Sequence, residues 1–289
     1  MIKCIATDMD GTLLNEQQEI SKANQEALKA AQHAGIHVVV ATGRAYYEAE
    51  KVLKEAELTC PIICTNGAEV RNEAGEKVYS TPIPKLLALQ VMRNLEKIGV
   101  YYEVYTNSGT YTESKEMGIE VLVNVFLSAN PSMSREDVEK EASKRFDDGM
   151  MKTVPYLQEL TKDDAIEVYK LLVFSKDPSQ LEEAKTVVSN EELALSSSGM
   201  DNLEINHKGA QKGIALAAHT KRLGISMKDT MALGDQLNDL SMFQRVGHAV
   251  AMGNAVMEAK EVAHEVTATN KEDGVAKAVQ KILQLTKPN

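Results

Sequence analysis

Four carboxylates and one amine stand in this sequence where charge is expensive unless it works. Asp8 and Asp10 flank Met9 and run into Gly11-Thr12, Lys212 follows Gly209-Ala210-Gln211, and Asp235 leads through Gln236-Leu237-Asn238 to Asp239. Acids two residues apart at a strand end should point to one side and lie close together. Two negative charges at that separation call for a cation, a shared proton, or both. Asp oxygens with a backbone carbonyl form a hard donor set suited to Mg2+, which keeps several waters and joins a substrate phosphate. Asp10-Gly11 taken alone also reads as an ordinary turn with its Asp in solvent, so the partners elsewhere must decide.

The elements that would hold these groups follow from apolar runs and their punctuation. Ile2 to Ile5 predicts a buried strand that delivers Asp8 and Asp10 into a crevice. Ser21 to Ala34 has Ala23, Ala27, Leu28 and Ala31 at helical spacing, a Ser cap and a stop at Gly35. Ile36 to Ala41 is a second strand, ending at Thr42-Gly43-Arg44, and Pro61 to Cys64 a third, ending at Thr65-Asn66-Gly67-Ala68. Strand, helix, strand in this order implies a right-handed crossover and a parallel sheet. Val70 to Ser80 reads as a hairpin turning at Asn72-Glu73-Ala74-Gly75.

At Thr81-Pro82-Ile83-Pro84 the rhythm changes, and two prolines within three residues predict a linker. From Lys85 to about Gly199 hairpins adjoin longer helices, which predicts an α+β insert. Ser134 with Asp137 resembles a capping box with Asp in place of Glu. The alternating pattern resumes at Asn202, with strands at Leu203 to Asn206, Thr230 to Leu233 and His248 to Met252, and helices at Gln211 to Leu223, Leu237 to Val246, Ala255 to Ala263 and Gly274 to Leu285. The expected architecture is thus α/β: a doubly wound, Rossmann-like parallel-sheet core from residues 1–84 and 200–289, interrupted by an α+β insert over 85–199. In such sheets the carboxyl ends of the strands line the ligand crevice, so Asp8, Thr42 and Asp235 can converge.

Composition narrows the partners. With 32 basic against 42 acidic residues the net charge is −10, which argues against nucleic acid or an anionic membrane. Trp is absent and aromatics are scarce, so stacking platforms for single strands are not expected. Three cysteines without a CxxC pair fit a reduced interior. No stretch approaches a membrane span and the amino terminus lacks a signal-peptide pattern, so a soluble cytoplasmic protein is expected.

Asp8-Met9-Asp10-Gly11-Thr12, Thr42-Gly43-Arg44, Lys212 within Lys208 to Gly213, and Gly234-Asp235-Gln236-Leu237-Asn238-Asp239 resemble, in order, the four motifs of the haloacid dehalogenase superfamily. More narrowly, the chain resembles the Cof-type sugar-phosphatase branch, whose cap is inserted between the second and third motifs. Thr65-Asn66-Gly67-Ala68 and Ala251-Met252-Gly253-Asn254-Ala255 add to the match. The resemblance implies a Mg2+-dependent phosphatase for small phosphorylated metabolites, with Asp8 as nucleophile and Asp10 as general acid/base. Thr42 and Lys212 would hold phosphate oxygens, and Met9, Gly43, Arg44, Asn66, Gly67 and Asn238 would line the phosphate and substrate. The metal set would be Asp8, Asp10 through its carbonyl, and Asp235, with Asn238 and Asp239 in the outer shell or positioning Lys212. The insert would close as a lid, hinged near Pro82-Ile83-Pro84 and Gly199 to Asp201.

Other readings stay open beside this one. The same aspartyl phosphate could serve a phosphomutase or phosphotransferase, and a receiver-like phosphorylation sensor also combines an Asp cluster, Thr and Lys on a doubly wound sheet. Thr42 alone reads as structural and Lys212 alone as a solvated helix lysine. Lys221 and Arg222 suit a helix carboxyl end. Tyr46, Tyr47, Cys60 and Cys64 read as packing, and Gly35 separates His33 from His37 too sharply for a metal pair.

Overall fold

The computed structural model describes residues 1–129 and 134–286. In chain order the elements are β1 (Cys4–Thr7), α1 (Lys22–His33), β2 (His37–Ala41), α2 (Tyr46–Glu55), β3 (Ile62–Cys64), β4 (Glu69–Arg71) and β5 (Lys77–Ser80). They continue with α3 (Lys85–Lys97), β6 (Tyr101–Thr106), β7 (Gly109–Thr112), α4 (Lys115–Ala129), α5 (Arg135–Asp147), β8 (Met151–Thr153), β9 (Val168–Phe174), α6 (Pro178–Val188), β10 (Leu193–Ser196) and β11 (Asn202–His207). The last run is α7 (Lys212–Arg222), β12 (Thr230–Gly234), α8 (Leu240–Phe243), β13 (His248–Ala251), α9 (Met257–Val262), β14 (Glu265–Val266) and α10 (Gly274–Thr286).

Two compact units result: Met1–Ser80 with Gly209–Asn289, and Thr81–Lys208. In the first, the described strands run β14-β13-β12-β1-β2-β3-β4-β5. All pairs from β14 to β3 are parallel, and the β4–β5 hairpin extends the sheet antiparallel. Reading outward from β1, the parallel strands wind one way through β2 and β3 and the other way through β12 and β13. This doubly wound order has its switch point between β1 and β12, where a crevice opens at the carboxyl ends. The central strands are apolar on both faces, as a sheet covered on both sides requires: Cys4, Ile5, Ala6, Val39, Val40, Ala232 and Leu233 have no exposure. Ser21 caps α1 by accepting from the Asn24 N–H at 3.2 Å, a contact worth ~1 kcal/mol.

In the second unit the order is β10-β11-β9-β6-β7-β8, antiparallel except for β7 with β8. Val104, Leu171, Val173 and Ile205 form a core with Ala88, Val91, Leu95 and Ala184 of α3 and α6. The alternate positions Glu103, Lys170 and Glu204 turn to the other face, as a period of two demands, and all three are buried.

The structure departs from expectation in places. The strand at 203–206 pairs antiparallel with β9 and β10, so it belongs to the insert, whose limits are Thr81 and Lys208 rather than 85 and 199. Alternation along one strand specifies its faces but not its sheet. The Pro82-Ile83-Pro84 segment also belongs to the insert: Ile83 is buried and its N–H donates to the Val168 carbonyl at 2.7 Å. The helix expected over Leu237 to Val246 is a single 3-10 turn, Leu237–Asp239, followed by the short α8. Ser134 accepts from the Asp137 N–H at 3.4 Å, the Ser half of the expected capping box. The two-residue strand β14 carries no sequence pattern long enough to announce it.

Candidate active site

The switch point brings Asp8, Lys212, Asp235 and Asp239 together. Asp8 follows β1 directly, its N–H donating to the Leu233 carbonyl of β12 at 3.0 Å, and Asp235 follows β12 itself. Lys212 opens α7, and its ammonium donates to Asp8 Oδ1 and to Asp239 Oδ1, both at 2.8 Å. The Lys212 and Asp239 side chains are wholly buried and that of Asp8 is nearly so. Asp239 Oδ2 accepts from the N–H groups of Asp235 and Gln236 at 2.9 and 3.0 Å, which pins the loop that carries Asp235. The contact with the Gln236 N–H makes Asp239 the third residue of a capping box, which starts the 3-10 turn Leu237–Asp239.

Charge in this cluster is not balanced. Carboxylates of Asp8, Asp235 and Asp239 offer oxygens within 4.8 Å of one another and face one ammonium. Burial pushes Asp8 well above the usual carboxylate range; Lys212 opposes this, while Asp239 and Asp235 add to it. Burial, helped by Asp239, pushes Asp235 up to about 7. Burial by itself would lower the Lys212 ammonium, yet Asp239 and Asp8 together carry it above the lysine range. The Oδ1 of Asn238 is buried without a partner among the described residues, while its Nδ2 donates to Asn66 Oδ1 at 3.2 Å. Hard oxygen donors in excess of positive charge, with an acceptor left over, fit a divalent cation.

The Asp10 carboxylate is not one of these clustered oxygens, as its expected closeness to Asp8 would have made it, although its charge still helps to raise Asp235. β1 ends at Thr7, so strand parity no longer applies beyond it. Asp10 (φ −69°, ψ 124°) and Gly11 (φ 73°, ψ −2°) form a type II turn, which needs glycine at its left-handed position. The turn sends the Asp10 carboxylate outward to Arg44, whose Nε and Nη2 donate to Oδ2 and Oδ1 at 2.8 and 2.5 Å. Gly11 is required for a second reason: a Cβ there would stand 2.4 Å from Asp235 Oδ2.

The remaining candidates frame this arrangement. Thr42 is buried, and its Oγ1 accepts from the Arg44 N–H at 3.1 Å across Gly43. Thr65, Asn66 and Gly67 take φ values of 45°, 59° and 97°. A β-branched residue held there stores about 1–3 kcal/mol of strain. The segment is fixed by Thr65 N–H to the Arg44 carbonyl at 2.8 Å and Asn66 N–H to the Thr42 carbonyl at 3.0 Å. A Cβ on Gly67 would lie 2.6 Å from the Gln211 carbonyl, so this turn and the start of α7 are in close approach. Met9 is wholly buried and packs in the core of this unit.

Some members of the site escaped the sequence reading. Thr12 Oγ1 donates to Asp235 Oδ1 at 2.8 Å, fixing one acid with the end of the first motif. Asn254 Nδ2 donates to the Gly11 carbonyl at 2.8 Å and so secures the type II turn. Both lie in quoted motifs, so proximity to those motifs was the available signal. Gln18, whose Oε1 accepts from Arg44, carried none.

Known proteins bear on this geometry. A family model for haloacid dehalogenase-like hydrolases matches residues 5–279. Phosphatase YwpJ of Bacillus subtilis (strain 168) is 37% identical over 286 residues, 98% of this chain and 100% of that protein. The 5-amino-6-(5-phospho-D-ribitylamino)uracil phosphatase YwtE of the same organism is 35% identical over 284 residues, 98% of either chain. The solved structure of a haloacid dehalogenase-like hydrolase from B. subtilis superposes with a TM-score of 0.88 at 36% identity, covering 96% of this chain and 99% of that one. With its motifs in order around a doubly wound switch point, the chain belongs to the haloacid dehalogenase-like hydrolases, in their Cof-type branch of phosphatases.

Proposed function

We propose that this phosphatase is Mg2+-dependent, acts on small phosphorylated metabolites such as sugar or polyol phosphates, and works through an aspartyl phosphate on Asp8. The observation that carries the reading is the buried chain Asp8–Lys212–Asp239 at the switch point. A carboxylate kept there beside an ammonium is a nucleophile oriented toward a crevice, not a turn residue. Asp8, Asp235 and the Asp10 carbonyl would hold Mg2+, which when bound offsets repulsion between anionic nucleophile and anionic substrate. Lys212, fixed by Asp239, and Thr42 supply donors for phosphate oxygens.

In the first step a carboxylate oxygen of Asp8 attacks phosphorus, the ester P–O bond breaks, and the leaving oxygen takes a proton from Asp10. In the second, Asp10 takes a proton from water as that water attacks phosphorus, and the bond to Asp8 breaks. The sum is phosphomonoester plus water giving alcohol plus phosphate, with both acids restored. Splitting the displacement in two and supplying a proton are worth roughly 10²–10⁴-fold for the proton transfer alone.

The relative that acts on a phosphorylated ribitylamino compound supports a polyol phosphate as the substrate class. We assign selectivity among leaving groups to the inserted unit Thr81–Lys208. Phosphate release from a panel of phosphomonoesters, with and without Mg2+ and in Asp8→Asn, tests the reading. Turnover that ignores Mg2+, or full activity in the variant, overturns it. Exchange of the insert with that of a relative should reorder kcat/KM across the panel.

A further inference from the structure

Arg44 was expected to line the substrate phosphate, but its guanidinium is otherwise engaged. Its Nε and Nη2 grip both oxygens of Asp10 in a fork, and Nη2 also donates to the Gln18 side-chain carbonyl. A fork of this kind fixes the plane of a carboxylate as well as its place. The Arg44 backbone is itself immobilised. Its N–H donates to Thr42 Oγ1, its carbonyl accepts from the left-handed Thr65, and the next residue begins the entry to α2, where the Glu48 carboxylate accepts from the Ala45 N–H at 3.2 Å. The guanidinium therefore projects from a backbone tied on both sides, while the carboxylate it grips is 48% exposed and has left the buried cluster. At that exposure burial alone does not hold one carboxylate orientation, and the fork is a contact that does.

We propose that Arg44, steadied by Gln18, is a positioning residue that fixes the Asp10 carboxylate for both of its proton transfers, to the leaving oxygen and from the attacking water. The proposal rests on the acid/base reading of Asp10 given above. Arg44 touches neither the reacting phosphorus nor the leaving oxygen in this role; it acts through Asp10.

The experiment compares an alkyl phosphomonoester with p-nitrophenyl phosphate, in the presence of Mg2+, for wild type, Asp10→Asn, Arg44→Ala, Arg44→Lys and Gln18→Ala. Without a placed acid the alkyl ester cannot leave, so Arg44→Ala should lose about 10²–10⁴-fold in kcat on it. Nitrophenolate leaves without a proton, so the same variant should give a burst of one nitrophenolate per enzyme and then a slow steady state, with phosphate trapped on the protein. Arg44→Lys, which keeps charge but not the fork, should recover little of the alkyl activity. Gln18→Ala should show the same signature at a few-fold, and serves if Arg44→Ala does not fold. A raised KM with unchanged kcat on both esters would make Arg44 a phosphate ligand and overturn the proposal. Equal losses on both esters with no burst would make it structural, with the same result. If Asp10→Asn itself gives neither burst nor trapped phosphate, the acid/base reading of the site fails, whatever the Arg44 variants do.

Discussion

Each unit of this protein buries a lysine against glutamate or aspartate, and the two clusters are built to different ends. In the insert, Lys170 of β9 donates to Glu204 of β11 at 3.1 Å, and both side chains are almost fully enclosed. Lys170 also lies over the Tyr105 ring at 4.4 Å, Ser198 hydroxyl donates to Glu204, and Glu103 accepts from the hydroxyls of Tyr101 and Tyr105. Every charge there sits in mid-strand, and both glutamates also accept from neutral hydroxyls. In the first unit, Lys212 answers three carboxylates placed beyond strand ends. Burial of charge is therefore not by itself a sign of catalysis. Both clusters hold more acids than bases; carboxylates carried beyond strand ends at a crevice, rather than in mid-strand, are what separate the site from the strut.

The largest test of that contrast is chemical. Asp8→Asn should lower kcat by about 10⁴-fold or more, as removal of a nucleophile does, while Glu204→Gln should keep kcat within a few-fold; phosphate release from the preferred substrate measures both. Comparable losses would break the comparison.

Stability gives the next test. Lys212→Met and Lys170→Met should each cost about 3–5 kcal/mol, because each strands buried carboxylates. Denaturant melts should then show Mg2+ restoring stability to the first variant and leaving the second unchanged. Mg2+ rescue of Lys170→Met would erase the distinction between the strand-end site and the mid-strand cluster.

A smaller effect follows from Asp235, whose carboxyl is raised from 3.8 to about 7. The folded state then binds this proton more tightly than the unfolded chain, so its contribution to stability is full below about pH 4 and is lost as pH rises through about 7. A cation at Asp235 must displace that proton. The gain in melting temperature on adding Mg2+ should therefore be larger at about pH 8 than at about pH 5.5. An equal gain at both would remove Asp235 from the cation's donors.

Smallest is Gly11→Ala, expected to cost about 1–3 kcal/mol for the left-handed turn position. The collision with Asp235 adds to that cost, so Mg2+ affinity, read by titration calorimetry, should fall with stability. A loss of stability with unchanged affinity would confine the role of Gly11 to the turn.

Much of this was legible in the residues. Apolar runs followed by Asp8, Thr42 and Asp235 located the strand ends, and Ser21 and Gly35 located the limits of a helix. Those signals are local: a period of two, a cap, a left-handed stop. Asp10 was misplaced because strand parity was extended one turn past Thr7, where the type II turn had taken over. The strand at Asn202–His207 was assigned to the wrong sheet because its pairing with β9 spans about thirty residues of chain that no local pattern links.

The sequence by itself determined the residue types, their order and the parallel winding, because hydrophobic periodicity and strand-end acids are written locally. Only the tertiary structure decided who pairs with whom. Lys212 meets Asp8 and Asp239 across separations of 204 and 27 residues, and Arg44 meets Asp10 across 34. Hydrogen bonds form between groups that folding brings within about 3 Å, and chain order alone carries no distances of that kind.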